Sequence, residues 1–357
     1  MIALYYQDIY LVIVLILTII VCSQYNQNIL SNPNRIRTSN GLFAAILALF
    51  MVLFIGFRPC HMVFYDMMVY DQQYTELLNK QFFFEWDTNN KFFDNWMPYM
   101  ASIGVPSQMM FVIYSLIYFG AMLWACRRLF PKDTLLAFLF CLGAFSTFSY
   151  GVNGIRAGMA GSIFLVALSY RDKLWLSIPL AIFTFGMHHS MSLVIVPFVL
   201  VLFMKNPRYY FAIWIVSFLV AALHITYFQH LFAGFTDEHG ASYLLSDEHS
   251  GFRIDFIIYS AIPIILGFFF FINKKLIQSE TYNTLLSLYT FVNSMWLLCM
   301  YSNFTNRISY LSWFMYPIVL LYPFVNMSWS SNQSKYLRYV VYGHLGFTLF
   351  MHFIYYN

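Results

Sequence analysis

The chain has 357 residues, of which 61% are hydrophobic and only 10% are charged, and its formal net charge is +4. Soluble domains usually carry about 25% charged residues, so this composition excludes a water-soluble globule and favours an integral membrane protein. Basic residues occur singly or in adjacent pairs, which argues against a nucleic-acid-binding surface.

Apolar stretches recur along the whole chain at lengths close to the roughly 20 residues that a helix needs to cross the hydrocarbon core. They predict an all-α, polytopic protein with about twelve transmembrane helices and a single membrane domain over residues 1–357. The first seven residues contain no Lys or Arg, so we expect the first span to stay in the membrane. Between residues 134 and 204 the spans are short, and we expect two re-entrant or broken helices there. The predicted spans are 8–24, 41–57, 106–125, 134–150, 155–170, 174–188, 190–204, 209–226, 255–272, 283–301, 308–325 and 337–355.

Two connections are long, residues 58–105 and residues 227–254. The first is rich in acidic and aromatic residues, a composition typical of helices that lie along the membrane interface. If the N-terminus is outside, most of the 19 Lys and Arg residues fall in inner loops and most of the 15 Asp and Glu residues fall in outer ones. This distribution follows the positive-inside rule. It predicts that both long loops and both termini face the outside.

Four arginines run against this bias, because they stand at or near outer helix edges in short polar motifs. Charge at membrane depth is costly, and the planar guanidinium fork matches phosphate oxygens. The four therefore predict a site for a pyrophosphate-bearing ligand in the outer leaflet. The alternative for each is snorkelling or pairing with a nearby carboxylate. The four are Arg58, Arg156, Arg253 and Arg307.

Histidines and carboxylates near these motifs supply candidates for proton transfer. His188 and His189 follow a short predicted span, and a histidine can accept a proton from an attacking hydroxyl or donate a hydrogen bond to phosphate. The alternative is a structural histidine that bonds a backbone carbonyl at a helix break. Asp66 lies downstream of Arg58 and could serve as the base or as the partner of that arginine.

No metal site and no cofactor are expected. The triplets at 237–239 and 247–249 each read Asp-Glu-His, which are ligand types for a divalent cation. A solvated acidic loop is the favoured interpretation. The five cysteines lie far apart without a CxxC pair, which argues against a zinc site or a disulfide framework.

Together these motifs resemble those of the EpsG-like family, polytopic bacterial proteins of exopolysaccharide, capsule and O-antigen clusters that are similar in role to Wzy polymerases. The resemblance runs from about residue 50 to residue 325. Ala157 departs from the Gln found in many relatives. The motifs are Gly56-Phe57-Arg58-Pro59 with Asp66 and Tyr70 downstream, Asn153-Gly154-Ile155-Arg156, His188-His189-Ser190, Arg253-Ile254-Asp255-Phe256 and Asn306-Arg307-Ile308-Ser309.

The resemblance implies a GT-C-like, metal-independent glycosyltransferase at the outer face of the bacterial cytoplasmic (inner) membrane. Its reaction would join undecaprenyl-pyrophosphate-linked oligosaccharide repeat units into surface polysaccharide. The expected partners are a lipid-linked donor, a lipid-linked acceptor, the lipid bilayer and a chain-length regulator protein. The implied catalytic residues are His189, His188, Asp66 and Arg156, and the implied substrate-binding residues are Arg58, Asp71, Tyr70, Asn153, Arg253, Asp255 and Arg307.

Two alternatives remain open at this point. A lipid-linked oligosaccharide flippase would need ionisable residues along the middle of several spans, whereas here they concentrate at one face. A GT-C glycosyltransferase or ligase that uses a polyprenyl-phosphate sugar would need the same kind of site, and no motif in this chain separates it from a polymerase.

Overall fold

The computed structural model describes residues 2–31, 38–234, 238–245, 250–272 and 279–356. Every regular element in these ranges is a helix, as the composition predicts. Asp237 and the second acidic triplet, at 247–249, lie outside the described residues. The chain divides into two compact units, one of residues 1–188 and 330–357 and one of residues 189–329, and each is described by itself.

The first unit begins with ten α-helices. A short 3-10 turn, Ile2–Tyr5, precedes the first of them. The helices are α1 (Tyr6–Ser23), α2 (Gln27–Ser31), α3 (Thr38–Gly56), α4 (Tyr65–Leu77), α5 (Lys91–Ser102), α6 (Ser107–Leu129), α7 (Thr134–Leu142), α8 (Thr147–Val152), α9 (Ile155–Ser169) and α10 (Leu174–Met187).

The second unit opens on the 3-10 turn His189–Met191 and contains eight α-helices among its described residues. They are α11 (Ser192–Phe203), α12 (Pro207–Ala222), α13 (Tyr227–Ala233), α14 (Glu238–Leu245), α15 (Ile254–Ile272), α16 (Glu280–Leu298), α17 (Thr305–Trp313) and α18 (Tyr316–Asn326).

The chain then returns to the first unit with α19 (Gln333–Phe350), which ends in a turn of π-helix, Met351–Tyr355. The side chain of Arg338 in α19 donates to the carbonyl oxygen of Tyr25 at 2.7 Å, and the ring of His352 lies 2.6 Å from the carboxylate of Asp8 in α1. The last helix is thus fixed to the beginning of the chain.

Each of the twelve predicted spans coincides with a helix or with a broken pair of helices. Four helical stretches are long and apolar enough to cross a bilayer, namely Ile2–Ser23, Ser107–Leu129, Ile254–Phe271 and Thr305–Asn326. A fifth is possible if α12 and α13, which meet at a bend of 117°, form one span. The other apolar helices are shorter, so the multi-pass character is clear and the number twelve stays a prediction.

One of the two breaks expected between residues 134 and 204 occurs in the 134–150 span. The helix α7 ends at Leu142 and α8 begins at Thr147, and the Thr147 hydroxyl donates to the carbonyl oxygen of Cys141 at 2.6 Å. Hydrogen bonds of this kind satisfy carbonyls that a broken helix leaves open.

Close approach of small residues brings α3, α6, α8 and α9 together. A Cβ at Gly56, which ends α3, would lie 2.8 Å from the backbone of Val112 in α6. A Cβ at Gly158 in α9 would lie 2.4 Å from the carbonyl oxygen of Tyr150 in α8. Such contacts between backbones are typical of helix packing in membranes, and they bring the ends of α3 and α8 beside the first turn of α9.

Both long loops contain helices. Within residues 58–105 these are α4 and α5, and within residues 227–254 they are α13 and α14. The helices α4 and α5 pack against each other and against α6, so the first loop is a folded part of the first unit. Its predicted place at the membrane interface stays a prediction.

Candidate functional site

Arg58 lies in the interior of the first unit, just beyond the end of α3, with 1% of its surface exposed. One terminal nitrogen donates to the carbonyl oxygen of Ile55 at 2.8 Å. The other donates to the carbonyl oxygen of Val152 at 3.0 Å, across 94 positions of the chain. Burial lowers the pKa of Arg58 to about 10, and the carboxylate of Asp66 opposes this shift, so the guanidinium stays charged at neutral pH.

The contact with Val152 brings two of the sequence motifs together. Val152 is the last residue of α8, and the turn Asn153-Gly154 connects it to Ile155, the first residue of α9. Since Tyr150 fills the space next to Gly154, a Cβ at that glycine would lie 2.5 Å from the tyrosine ring. The tight turn therefore requires a small residue, and it places Arg156 in the first turn of α9.

Arg156 is half-buried and is surrounded by groups from α4 and α5. A terminal nitrogen of its guanidinium lies 3.9 Å from the carboxylate of Asp94, and Arg156 is close enough to the hydroxyl of Tyr70 to lower the pKa of that phenol. Its guanidinium carbon lies 5.6 Å from the centre of the Phe93 ring. Burial raises the pKa of Tyr70 and Arg156 opposes this shift, so the phenol keeps its proton at neutral pH.

Asp94 is itself held in place by the backbone. Its second carboxylate oxygen accepts a hydrogen bond from the N–H of Asn90 at 3.1 Å, at the beginning of α5. The acid thus satisfies an open N–H of that helix, as capping carboxylates do, while its other oxygen faces Arg156. This arrangement fixes the position of the arginine relative to α5.

Two further acids of the first loop, Asp66 and Asp71, lie close to these groups. Asp66 in the first turn of α4 is near enough to affect the charge states of both Arg58 and Tyr70. Asp71, one turn further, lies 3.9 Å from the sulfur of Cys60. The motif around Arg58 and the residues downstream of it therefore form one cluster with Arg156.

Three buried polar atoms at this cluster have no hydrogen-bond partner in the described part of the protein. They are Nε of Arg58, Oδ1 of Asn153 and the hydroxyl oxygen of Tyr114. The Tyr114 ring packs against Phe93 at 5.5 Å. Buried polar groups without partners are rare because each costs about 1–3 kcal/mol. Their grouping here is typical of a functional site.

The two predicted histidines fall on either side of the division between the units. His188 follows the last turn of α10 in extended conformation, and its N–H donates to the carbonyl oxygen of Thr184 at 2.9 Å. His189 begins the 3-10 turn that opens the second unit. In the first unit, α5 packs on the end of α10, because Phe92 and Phe183 stack at 4.6 Å.

Arg253 in the second unit forms a two-pronged ion pair with Asp255. Its Nε donates to one carboxylate oxygen at 3.0 Å and its terminal nitrogen donates to the other at 2.7 Å. The guanidinium carbon lies 3.6 Å from the centre of the Phe256 ring. Pairing with Asp255, which the sequence offered as an alternative to phosphate binding, is thus present.

Arg307 is exposed in the first turn of α17, and its guanidinium carbon lies 5.0 Å from the centre of the Phe304 ring. An aromatic cluster connects this turn to the Arg253 motif. The Phe256 ring packs on Trp313 at 4.7 Å and on Trp296 at 6.3 Å. The Trp296 N–H donates to the hydroxyl of Thr305 at 2.9 Å, two residues before Arg307.

Not every member of these clusters was predicted from the sequence. Asp94, Phe93 and Tyr114 contact Arg156 or its neighbours, and none was predicted as a site residue. The only signal was the dense mixture of acids and aromatics between 81 and 99, which was interpreted as an interfacial helix. In the ranges that the structure covers, no group of three or more His, Cys, Asp or Glu side chains is placed to hold a metal ion.

Comparison with known proteins gives one result. A family model described as the EpsG family matches residues 41–357. No curated protein and no solved structure matches the chain. The matched region contains all the residues that form the two arginine clusters.

Proposed function

The chain belongs to the EpsG family, and from this premise we propose that it polymerises undecaprenyl-pyrophosphate-linked oligosaccharide repeat units into a surface polysaccharide. The family and the multi-pass helical structure support a membrane protein of polysaccharide biosynthesis. The observation that carries the finer proposal is the contact between Arg58 and Val152. It unites two arginine motifs, from distant parts of the chain, in one cluster of cationic and phenolic donors.

The proposed reaction is a glycosyl transfer between two lipid-linked substrates. A sugar hydroxyl of the acceptor repeat attacks the anomeric carbon of the donor chain. The bond between that carbon and the pyrophosphate oxygen breaks, and its electron pair stays with undecaprenyl pyrophosphate. The hydroxyl proton passes to a base. Negative charge therefore grows on the leaving pyrophosphate, which is where fixed cationic donors accelerate such a step.

Arg156 is the residue that we assign to the donor pyrophosphate. Its side chain is 31% exposed, so a ligand can reach it, and a terminal nitrogen lies 3.9 Å from the Asp94 carboxylate. A guanidinium in this position can offer its planar donors to phosphate oxygens. Tyr70 adds a hydroxyl near this guanidinium, close enough for Arg156 to affect the pKa of the phenol. Removal of one such donor typically lowers the rate by about 10²–10³-fold.

Arg58 receives a different role from the one that its motif implies. Its two terminal nitrogens are engaged with carbonyl oxygens and its surface is almost entirely covered. We assign it to holding the turn that presents Arg156 and to adding positive potential beneath that turn. At low local dielectric, a buried charge acts over several ångströms.

Proton removal stays assigned to His189, His188 or Asp66. Asp66 lies in the same unit as Arg156 and shares its environment. Its carboxylate is suited to positioning the arginine side chains near it. A histidine, whose ordinary pKa is near neutrality, suits proton transfer better.

Arg253 and Arg307 are assigned to the pyrophosphate of the acceptor. Both lie at the outer end of predicted spans in the second unit, and Asp255 orients Arg253 through two hydrogen bonds. A fork held in this way is pre-organised to face a planar pair of oxygens. The prediction that all four arginines serve one reaction stays a prediction.

The proposed setting is the bacterial cytoplasmic membrane, with the site and both termini on the outer side. The lipid tails of both substrates would enter from the bilayer, and a chain-length regulator would be a protein partner. Neither a metal ion nor a cofactor is part of the proposed chemistry.

The proposal is tested in a strain that lacks the chromosomal gene and carries a copy encoding Arg156→Ala. The measured quantity is the length of the surface glycan. A polymerase that has lost activity leaves surface lipid capped by single repeat units, because transport continues. A lost flippase leaves no repeat unit at all. Single repeats support the proposal, and long chains from a correctly inserted Arg156→Ala protein contradict it. Arg127→Ala is the matched control, since Arg127 is exposed in the last turn of α6, at the predicted inner face.

A further inference from the structure

We propose that residues 82–86 form a sugar-binding surface for the oligosaccharide of the lipid-linked substrate, an inference that rests on the proposed function. This segment, named here the aromatic loop, reads Phe-Phe-Phe-Glu-Trp and connects α4 to α5. Phe83 is 74% exposed and Trp86 is 73% exposed. The rings of Phe84 and Trp86 lie 4.6 Å apart, so these two side chains form one exposed aromatic surface.

The loop is held in one conformation by a buried side chain. Asn95 in α5 is 5% exposed, and its amide makes three hydrogen bonds. The oxygen accepts from the N–H of Glu85 at 2.7 Å, and the nitrogen donates to the carbonyl oxygens of Glu85 at 2.9 Å and Lys91 at 2.8 Å. Aromatic surface that is fixed before binding loses little entropy when a ligand covers it.

The same stretch of α5 connects the loop to the cluster around Arg156. Phe93 and Asp94 contact the arginine, and the adjacent Asn95 holds the loop. A pyrophosphate on Arg156 carries its first sugar by a direct covalent bond. The aromatic loop is therefore placed within the same folded segment as the proposed phosphate site, where the following sugars of the repeat unit would lie.

The charge of the loop favours a sugar over a lipid surface as its occupant. Glu85 and Asp87 stand on either side of Trp86, and both are exposed. Carboxylates are repelled by anionic lipid headgroups and are costly in hydrocarbon. Sugar hydroxyls, by contrast, donate strong hydrogen bonds to carboxylates, while the C–H face of a pyranose packs on the negative face of an indole ring.

A binding measurement with the purified full-length protein tests this inference. The probe is the free repeat-unit oligosaccharide released by mild acid from the host's lipid-pyrophosphate-linked repeat unit. Its binding to the protein in nanodiscs is observed by saturation-transfer NMR. We expect saturation transfer from the wild-type protein to the probe. For Trp86→Ala we expect the affinity for the probe to fall roughly five- to tenfold, since an aromatic contact and its buried area contribute on the order of 1 kcal/mol. Trp175→Ala is the matched control, because Trp175 is 76% exposed in α10 at the predicted inner face.

A second measurement examines the competing occupant. Fluorescence of the wild-type protein and of Trp86→Phe is compared in bilayers with and without brominated lipid. Bromine quenching that is weaker in Trp86→Phe than in the wild-type protein would place the indole in the bilayer and would overturn the inference. Equal bromine quenching of the two proteins supports the sugar-binding inference. Acrylamide in the aqueous phase provides a further quencher, and lower quenching of Trp86 when the probe is bound also supports the inference.

The two proposals fail in different ways. If the protein does not elongate lipid-linked repeats but binds the free probe through Trp86, the sugar surface stands and the polymerase assignment falls. If elongation proceeds and Trp86→Ala leaves both the KM for the acceptor and probe binding at wild-type values, the polymerase stands and the sugar surface falls. Phe83→Ala provides a second variant of the same surface if Trp86→Ala does not insert.

Discussion

At the scale of single residues, the arginines of this protein divide by what surrounds them. Arg58 is enclosed and bonded to two carbonyl oxygens, whereas the side chain of Arg156 is 31% exposed and can be reached by a ligand. The first environment suits a structural charge and the second suits a ligand-binding one. Sequence reasoning identified both residues from their motifs and could not separate their roles, because burial depends on contacts between distant helices.

Replacement of Arg58 tests the division directly. Arg58→Met leaves the carbonyl oxygens of Ile55 and Val152 without their donor, and each such loss costs about 1–3 kcal/mol. We expect a clear fall in the apparent Tm of the purified protein, together with reduced protein in the membrane. Arg58→Lys should also lower the Tm, because an ammonium group cannot span both carbonyls as the fork does. An Arg58→Met protein with wild-type Tm and no polymerisation would instead show that Arg58 contacts the substrate.

Asp94 is predicted to position Arg156. Asp94→Ala removes the carboxylate that faces the guanidinium, and we expect elongation to slow by roughly ten- to a hundredfold, since small displacements of a reacting group have effects of that size. Asp94→Asn keeps an acceptor for the Asn90 N–H and should recover part of the loss.

A double-mutant cycle gives this prediction its control. In an Arg156→Ala background, Asp94→Ala should have little further effect, because coupled residues are not additive. Additive losses would mean that Asp94 acts independently of the arginine.

At the scale of helices, the position of the site depends on how closely α8 and α9 approach. Gly158→Ala places a methyl group 2.4 Å from the carbonyl oxygen of Tyr150, a rigid neighbour. Overpacking of this kind usually costs about 1–3 kcal/mol. We expect a lower apparent Tm and weaker polymerisation, because the turn that carries Arg156 must shift.

Gly120→Ala is the matched control for that substitution. Gly120 lies within α6 and a Cβ there would meet no atom within 4 Å. The helix propensity of alanine exceeds that of glycine by about 1 kcal/mol, so this variant should be as stable as the wild type or more so. Similar losses in both glycine variants would contradict the packing argument.

The helices illustrate what sequence can and cannot supply. Hydrophobic length located the longer apolar helices, because transfer of an apolar segment into the membrane depends on local composition, but it did not locate the short helices α2, α13 and α14. The break between α7 and α8 was expected, and the bend between α12 and α13 was not. That bend occurs at residues 223–226, where His224 has a φ of 56°, and such a local backbone choice leaves little trace in hydropathy. The pairing of Arg156 with α5 also required the packing of the first loop.

At the scale of the whole molecule, the charge distribution predicts that both termini face outward. A C-terminal fusion to alkaline phosphatase should be active, because that enzyme needs an oxidising compartment. A C-terminal fusion to green fluorescent protein should be dark, because this protein fails to fold after export through the general secretory route. Cells expressing the same fusions after residue 205, in a predicted inner loop, provide the control with the opposite result. A bright C-terminal green fluorescent protein would reverse the orientation and would move the arginine cluster to the cytoplasmic side.

The most direct test of the central claim is extension of a purified undecaprenyl-pyrophosphate-linked repeat unit by the purified protein in proteoliposomes. We expect a ladder of products, one repeat unit apart, with release of one undecaprenyl pyrophosphate for each linkage formed. We expect Arg156→Ala to slow both chain extension and release of undecaprenyl pyrophosphate by about a hundredfold or more, and Arg127→Ala to leave both unchanged. An unchanged ladder from a folded Arg156→Ala protein, or no ladder from the wild-type protein with its authentic substrate, would contradict the proposed polymerase function.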